Sequence, residues 1–158
     1  MIVHPIPPVY DKNSKVLILG SFPSVKSREQ GFFYGHPQNR FWKVLAALSD
    51  RTVPNSIDEK KALLLELGIA VWDVLASCEI VGSADSTIRN ARPNDISVIL
   101  SSASIKAIYV NGKTAKAYYD KYIKPTTNID AVCLPSTSPA NATFSLQKLI
   151  EGWKIILR

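Results

Sequence analysis

The sequence predicts an α/β protein, a three-layer αβα sandwich around a central, mostly parallel four-stranded sheet. Three observations lead there. Four short apolar runs have the length and continuity of strands buried on both faces. Segments of helical period separate them, and polar loops follow three of the four. Strands alternating with helices imply a parallel sheet covered on both sides.

The elements follow in order along the chain. Residues 15–20 (Lys-Val-Leu-Ile-Leu-Gly) read as the first strand, closed by Gly20. After Asn39, apolar residues at 41, 44, 45 and 48 form a helical stripe. Ser56-Ile-Asp-Glu59 is a capping box, and its helix runs through the leucines to a stop at Gly68. Residues 69–72 (Ile-Ala-Val-Trp) are the second strand. Pro93-Asn94-Asp95 opens a helix with Ile96, Ile99, Leu100 and Ala103 on one side. Residues 107–110 (Ala-Ile-Tyr-Val) are the third strand, followed by a helix bearing Tyr118, Tyr119 and Tyr122. Residues 131–134 (Ala-Val-Cys-Leu) are the fourth. A last helix, starting near Asn141 or Thr143, carries Leu146, Leu149, Ile150, Trp153 and Leu157 on its core face.

The 158 residues fit one domain, 1–158, with no repeat or linker. Hydrophobic residues make up 46% and charged residues 20%, an ordinary soluble composition. No apolar run approaches the roughly 20 residues that span a bilayer, so no membrane association is expected. The N-terminus lacks the charged start and apolar core of a secretory signal. Cys78 and Cys133 stand far apart and outside any CxxC pair, too few ligands for a zinc or iron–sulfur site. A reducing cytoplasm, a monomer, and neither metal nor cofactor are the expectation. The formal charge of +6 suits a polyanionic partner without requiring one.

In such a sheet, ligands bind beyond the carboxyl ends of the strands. The loop after Gly20, the Trp72-Asp73 strand end and the loop at Pro135 all fall on that edge. Gly20-Ser21-Phe22-Pro23-Ser24 ends the first strand, and its backbone N–H groups can meet a polar ring edge. Phe22 can stack on a base or fill the core. Asn39 is either the cap of the following helix or a pocket residue, and both roles can coexist. Leu134-Pro135-Ser136-Thr137-Ser138-Pro139-Ala140-Asn141 presents hydroxyls and N–H groups suited to phosphate, or simply makes a polar turn. Lys26, Arg28, Arg89 and Arg92 share this rim if the loops lie as expected. Asp73 and Asp85 are candidate acid–base groups, or a strand-end cap and a turn residue. His36 is a candidate base or a structural loop residue. Asn111-Gly112-Lys113-Thr114 is no P-loop, because position 107 is Ala and residues 108–110 read as strand.

The run Phe33-Tyr-Gly-His-Pro-Gln-Asn-Arg-Phe-Trp-Lys-Val-Leu45 resembles the corresponding segment of mismatch-specific uracil/thymine-DNA glycosylases. The loops at 20–24 and 135–141 match the two active-site motifs of the uracil-DNA glycosylase superfamily in position and order. With Phe22 where the mismatch-specific enzymes carry Asn, the hypoxanthine-DNA glycosylase branch is the closer likeness, having Ser-Phe-Pro-Ser and its functional Asn in the His-Pro-x-Asn run. The resemblance implies a uracil-DNA glycosylase-like fold and hydrolysis of the N-glycosidic bond of a deaminated base in DNA, hypoxanthine first and uracil second, initiating base excision repair. It points to Asn39 as the catalytic residue, positioning water through its carbonyl. Gly20, Ser21, Phe22 and Ser24 would hold the base. Pro135, Ser136, Thr137, Ser138, Ala140, Asn141 and Arg40 would meet DNA, Arg40 being alternatively a structural anchor. Two other classes stay open: a non-catalytic lesion-sensing module, and a doubly wound domain binding a small nucleotide.

Overall fold

The four apolar runs become one parallel sheet in the computed structural model, which describes residues 1–157. Its strands are β2 (Val16–Gly20), β3 (Ile69–Asp73), β6 (Ala107–Asn111) and β7 (Ala131–Leu134), in the order β3-β2-β6-β7. Register places Gly20 opposite Asp73 and Asn111 opposite Leu134, so all four strand ends share one edge. The order reverses between β2 and β6, where a crevice opens at the carboxyl ends of an open α/β sheet.

Period-two alternation divides the core. Val16 and Ile18 face one cluster with Phe41, Leu45, Leu64, Leu149 and Trp153. These come from α2 (Phe41–Ser49), α3 (Ile57–Glu66) and α7 (Leu146–Trp153). Leu17 and Leu19 face the other cluster with Ile99, Val110, Ala115, Tyr119 and Ile123. That side is built from α4 (Ser97–Leu100), α5 (Lys113–Tyr118), a π-turn at Tyr119–Ile123 and α6 (Lys124–Thr127). The expected Ser56 cap forms, its Oγ accepting the Glu59 N–H at 3.1 Å.

The second face holds something the periodicity did not reveal. β1 (Ile2–Val3), β4 (Leu75–Glu79) and β5 (Arg89–Pro93) form a small antiparallel sheet in the order β1-β4-β5. Only Val74 separates β4 from β3, and β5 is too polar to read as a strand. Arg89 and Arg92 therefore belong to this sheet rather than to a rim loop. The N-terminal segment crosses the free edge of β3, where Val9 and Val71 exchange two backbone hydrogen bonds at 3.0 Å.

Two helix expectations need correcting. The helix after Pro93 is one turn, Ser97–Leu100, entered where Asp95 Oδ1 accepts the Ser97 N–H at 3.0 Å. The last helix starts at Leu146, not near Asn141 or Thr143, because Ser145 caps it by accepting from Lys148 N at 3.2 Å. Leu146 and Leu157, expected in the core, are each 37% exposed, while Leu149 and Trp153 are fully buried. The chain spends residues 142–144 on a loop, which shifts the helix and its face. Among the described residues no helix is long and apolar enough to cross a membrane.

Candidate active site

The first wall begins at Gly20. A Cβ there would lie 2.4 Å from Asp73 Oδ1 and 3.1 Å from the Tyr34 hydroxyl, so only glycine lets the backbone pass. The loop is pinned to the start of β4, with Val74 N–H donating to Gly20 O at 2.7 Å and Leu75 N–H to Ser21 O at 3.1 Å. Phe22 is buried, edge-on to His4 at 5.9 Å, with Arg28 5.8 Å from its ring centroid. Ser24 caps α1 (Val25–Gln30), its Oγ accepting the Ser27 N–H at 3.1 Å. Ser27 Oγ in turn accepts the Gly35 N–H at 2.9 Å, tying α1 to the run that leads to Asn39.

Behind Gly20 lies a buried pair. His4 Nδ1 accepts the Ile6 N–H at 3.2 Å, so its proton sits on Nε2 and is donated to Asp73 Oδ2 at 2.7 Å. The route of the N-terminal segment along β3 delivers His4 here. No motif marks it. Asp73 itself, a lone polar residue ending an apolar strand, was visible.

Tyr34 is held in the left-handed region at φ 52°, an uncommon conformation for a bulky side chain, and its ring stacks on Phe41 at 4.1 Å. Its hydroxyl is buried without a hydrogen-bond partner. Burial first, and then the nearby Asp73 carboxylate, push this phenol well above its ordinary range, with the Asn111 side chain opposing them. Asn111 meets Thr137 through both ends of its amide, and burial keeps the phenol protonated, with no acceptor for its hydrogen among the described residues.

Asn39 stands one residue before the N-cap position. Its Oδ1 accepts the Phe41 N–H at 3.0 Å, satisfying one free donor of α2 while the side chain lines the pocket. That bond uses one of two carbonyl lone pairs. His36 lines the same pocket, and its Nδ1 accepts the Gln38 N–H at 3.1 Å.

Arg40 reaches the third segment. Its guanidinium donates to the carbonyls of Phe144, Ser138 and Asn141, and its backbone N–H to Thr137 O at 3.1 Å. It therefore anchors that loop instead of standing free at the surface. Asn111 adds a two-point hold, its Nδ2 donating to Thr137 Oγ1 and its Oδ1 accepting the Thr137 N–H, both at 3.0 Å. Thr137, expected to face DNA, is fully buried by these contacts. Pro135 O accepts from Trp153 Nε1 at 2.8 Å. Ser136 Oγ and Ser138 Oγ accept from backbone N–H groups of Ser138 and Ala140, both at 3.1 Å, which leaves their hydroxyl hydrogens free to donate outward.

These pieces enclose a cavity of about 150 Å³, a volume in which a flat aromatic ring can be held. Gly20, Ser21, Phe22, Ser24, Asn39, Ser136, Thr137 and Ser138 line it; Arg40, Pro135, Ala140 and Asn141 do not. Sequence reasoning missed Tyr34 and Asn111 as wall residues, although Asn111 is the polar end of a strand and could have been found as Asp73 was. Asp85, from a 3₁₀ turn at Asp85–Thr87, closes the side beside Ser21, whose Oγ donates to both carboxylate oxygens at 3.1–3.2 Å. Burial, then Asp73, push the Asp85 carboxyl above its usual range, and the Ser21 bond partly offsets them. No lysine or arginine lines the cavity, and no group of three or more His, Cys, Asp or Glu that could hold a metal exists among the described residues.

A profile of the uracil DNA glycosylase superfamily matches residues 7–155. A protein of Methanosarcina acetivorans named hypoxanthine DNA glycosylase is 32% identical over 160 residues, covering 100% of this chain and 99% of that one. A protein of the same name from Methanosarcina barkeri is 33% identical over 150 residues, 93% of this chain and 92% of its own. The solution NMR structure of a Methanosarcina acetivorans protein provisionally described as a uracil DNA glycosylase superposes with a TM-score of 0.84 at 31% identity, over 100% of this chain and 98% of that one. The chain thus belongs to the uracil DNA glycosylase superfamily, a family of DNA glycosylases.

Proposed function

We propose that this protein releases hypoxanthine from DNA by hydrolysing its N-glycosidic bond, as the first step of base excision repair. The observation that carries this reading is the single cavity lined by both Phe22 and Asn39, roofed by the serines of the third loop. The names of the two Methanosarcina relatives support hypoxanthine over uracil.

The lesion leaves the helix stack at a cost of about a few kcal/mol, less when mispaired. Phe22 stacks on the extruded ring, and backbone N–H groups of the first loop meet its lactam. The unused Tyr34 hydroxyl donates a further bond to the base, removing a buried unsatisfied group. Asn39 keeps its bond to Phe41 N–H and uses its second carbonyl lone pair to orient the attacking water. Because the amide cannot titrate, this is positioning and not proton abstraction. The free hydroxyl hydrogens of Ser136 and Ser138 reach phosphates flanking the lesion, and the loop tip at Ala140 and Asn141 enters the space the base has left. Arg40 and Asn111 keep that loop in register.

A base-release panel tests the proposal. Duplexes carrying hypoxanthine, uracil or xanthine are incubated with excess enzyme, and free base is measured. Hypoxanthine should be released fastest. Duplex binding with no base released from any of the three would make the chain a lesion-sensing module. Tight binding of mononucleotides without DNA affinity would make it a small-nucleotide domain.

A further inference from the structure

We infer that Asp85 is the general acid of this site, donating a proton to N7 of the departing base, and that the pocket is thereby built for purine lactams rather than pyrimidines. The inference rests on the base-excision reading above and names how the leaving group departs.

The argument starts from charge. Among the described residues two carboxyl groups, Asp73 and Asp85, line the cavity and no lysine or arginine does. A pyrimidine lactam that left as an anion would face negative charge with no lysine or arginine of the lining to balance it. A purine can take a proton at N7 and leave neutral, while the carboxylates favour the positive charge that develops on the sugar.

Position then separates the two carboxyls. Asp73 is 3% exposed, with Oδ2 held by His4 and Oδ1 against Gly20, so it serves as fixed negative charge at the back of the pocket. Asp85 lies on a partly exposed turn, where solvent can restore a spent proton. Residues 82–85 are held at three points, one on the base-binding loop and two on α1. Ser21 Oγ donates to Asp85, Val25 N–H to Ser83 Oγ at 2.9 Å, and Arg28 Nη2 to Gly82 O at 2.7 Å.

The groups that sense this carboxyl come from three neighbouring elements, while Arg89 of β5 is turned to the carbonyls of Ser86 and Ile88. They are Asp73 of β3, Cys78 of β4 and Tyr118 of α5, with Arg28 of α1 acting on Cys78. None is a cation hydrogen-bonded to Asp85. Its burial and the repulsion from Asp73 keep the proton on it to higher pH than an ordinary carboxyl, as an acid requires.

In the step itself, the N9–C1′ bond breaks with its electron pair going to the purine, and N7 takes the proton from Asp85. Water adds its oxygen to C1′ and gives up one proton to solvent. Solvent then reprotonates the Asp85 carboxylate, so atoms and charge balance over the cycle.

The test compares wild type with Asp85→Asn under single-turnover conditions, on duplexes with hypoxanthine or 7-deazahypoxanthine. Wild type should bind both duplexes alike but excise only hypoxanthine, at a rate that falls as pH rises through the Asp85 value. Asp85→Asn should lose about 100-fold on hypoxanthine, the contribution of a positioned acid, along with that pH dependence. Comparable wild-type excision of the 7-deaza base, or an Asp85→Asn rate and pH profile matching wild type, overturns the inference. The wild-type arms stand even if the variant folds poorly. Failure of wild type to release hypoxanthine at any pH would remove the parent reading as well; release that ignores both Asp85 and N7 would remove this inference alone.

Discussion

Gly20→Ala is the sharpest probe of the site, because the structure supplies its magnitude. The added methyl would lie 2.4 Å from Asp73 Oδ1, where ordinary contact begins at 3.4 Å, so something must move by about 1 Å. Asp73 cannot swing away freely, since His4 grips its other oxygen at 2.7 Å and both side chains are buried. The Tyr34 hydroxyl, 3.1 Å from the same point, closes the other direction. Relief therefore strains the loop or breaks the His4–Asp73 bond, and overpacking of this kind costs about 1–3 kcal/mol. For a chain of this size that is about 2–4 °C of Tm for each kcal/mol. Displacing the base-binding loop by about 1 Å should slow excision by about 100-fold, since catalysis depends steeply on near-attack geometry. Single-turnover release of hypoxanthine and thermal unfolding, measured on one preparation, test both halves. A Gly20→Ala variant that melts and excises like wild type would refute the close approach of loop, carboxylate and phenol on which the site is built.

Other outcomes follow from the same contacts. Asn39→Ala should lower the single-turnover rate by about 100-fold or more while leaving duplex affinity nearly intact; an unchanged rate removes Asn39 from the chemistry. Phe22→Ala should weaken binding to a hypoxanthine duplex more than to undamaged duplex, and equal losses would argue against stacking. Arg40→Ala strands three carbonyl acceptors, at about 1–3 kcal/mol for each one left buried and unpaired, so it should lower Tm more than any surface arginine variant. Asp85→Asn carries a pH signature in stability as well. Folding raises the Asp85 value, so the folded state holds that proton more tightly than the unfolded chain; the carboxyl favours folding in acid and that contribution is lost as pH rises through the folded-state value. The variant should gain stability relative to wild type between acid and neutral pH. A Tm difference that stays constant across that range would contradict the burial argument.

Much of the molecule was legible before any coordinates. β2 was readable because burial on both faces forces an uninterrupted apolar run, and it is buried at every position; β7, at the sheet edge, was readable from its apolar run although Val132 and Cys133 are exposed. Ser56 announced its helix, since a capping hydroxyl three residues before Glu59 is a local signal. Asn39 and Phe22 were singled out on local chemistry and on the His-Pro-x-Asn run, and both line the cavity. The elements that were missed have weak local signals. β5 reads Arg-Asn-Ala-Arg-Pro, and only pairing with β4 makes it a strand. The last helix starts at Leu146, beyond the expected Asn141 or Thr143, because Arg40, about a hundred residues upstream, holds the Asn141 and Phe144 carbonyls in a loop.

The sequence by itself determined the sheet, the helices that cover it and the three polar segments at its carboxyl edge. Those are properties of short stretches whose side-chain period matches the backbone geometry that buries them. Only the tertiary structure decided which polar groups meet. It brought His4 from the far end of the chain to Asp73, left the Tyr34 hydroxyl unpaired, turned Arg40 and Thr137 inward, and set Asp85 beside Ser21. Such contacts join residues up to a hundred positions apart, and each depends on how the chain crosses itself, which no local period records.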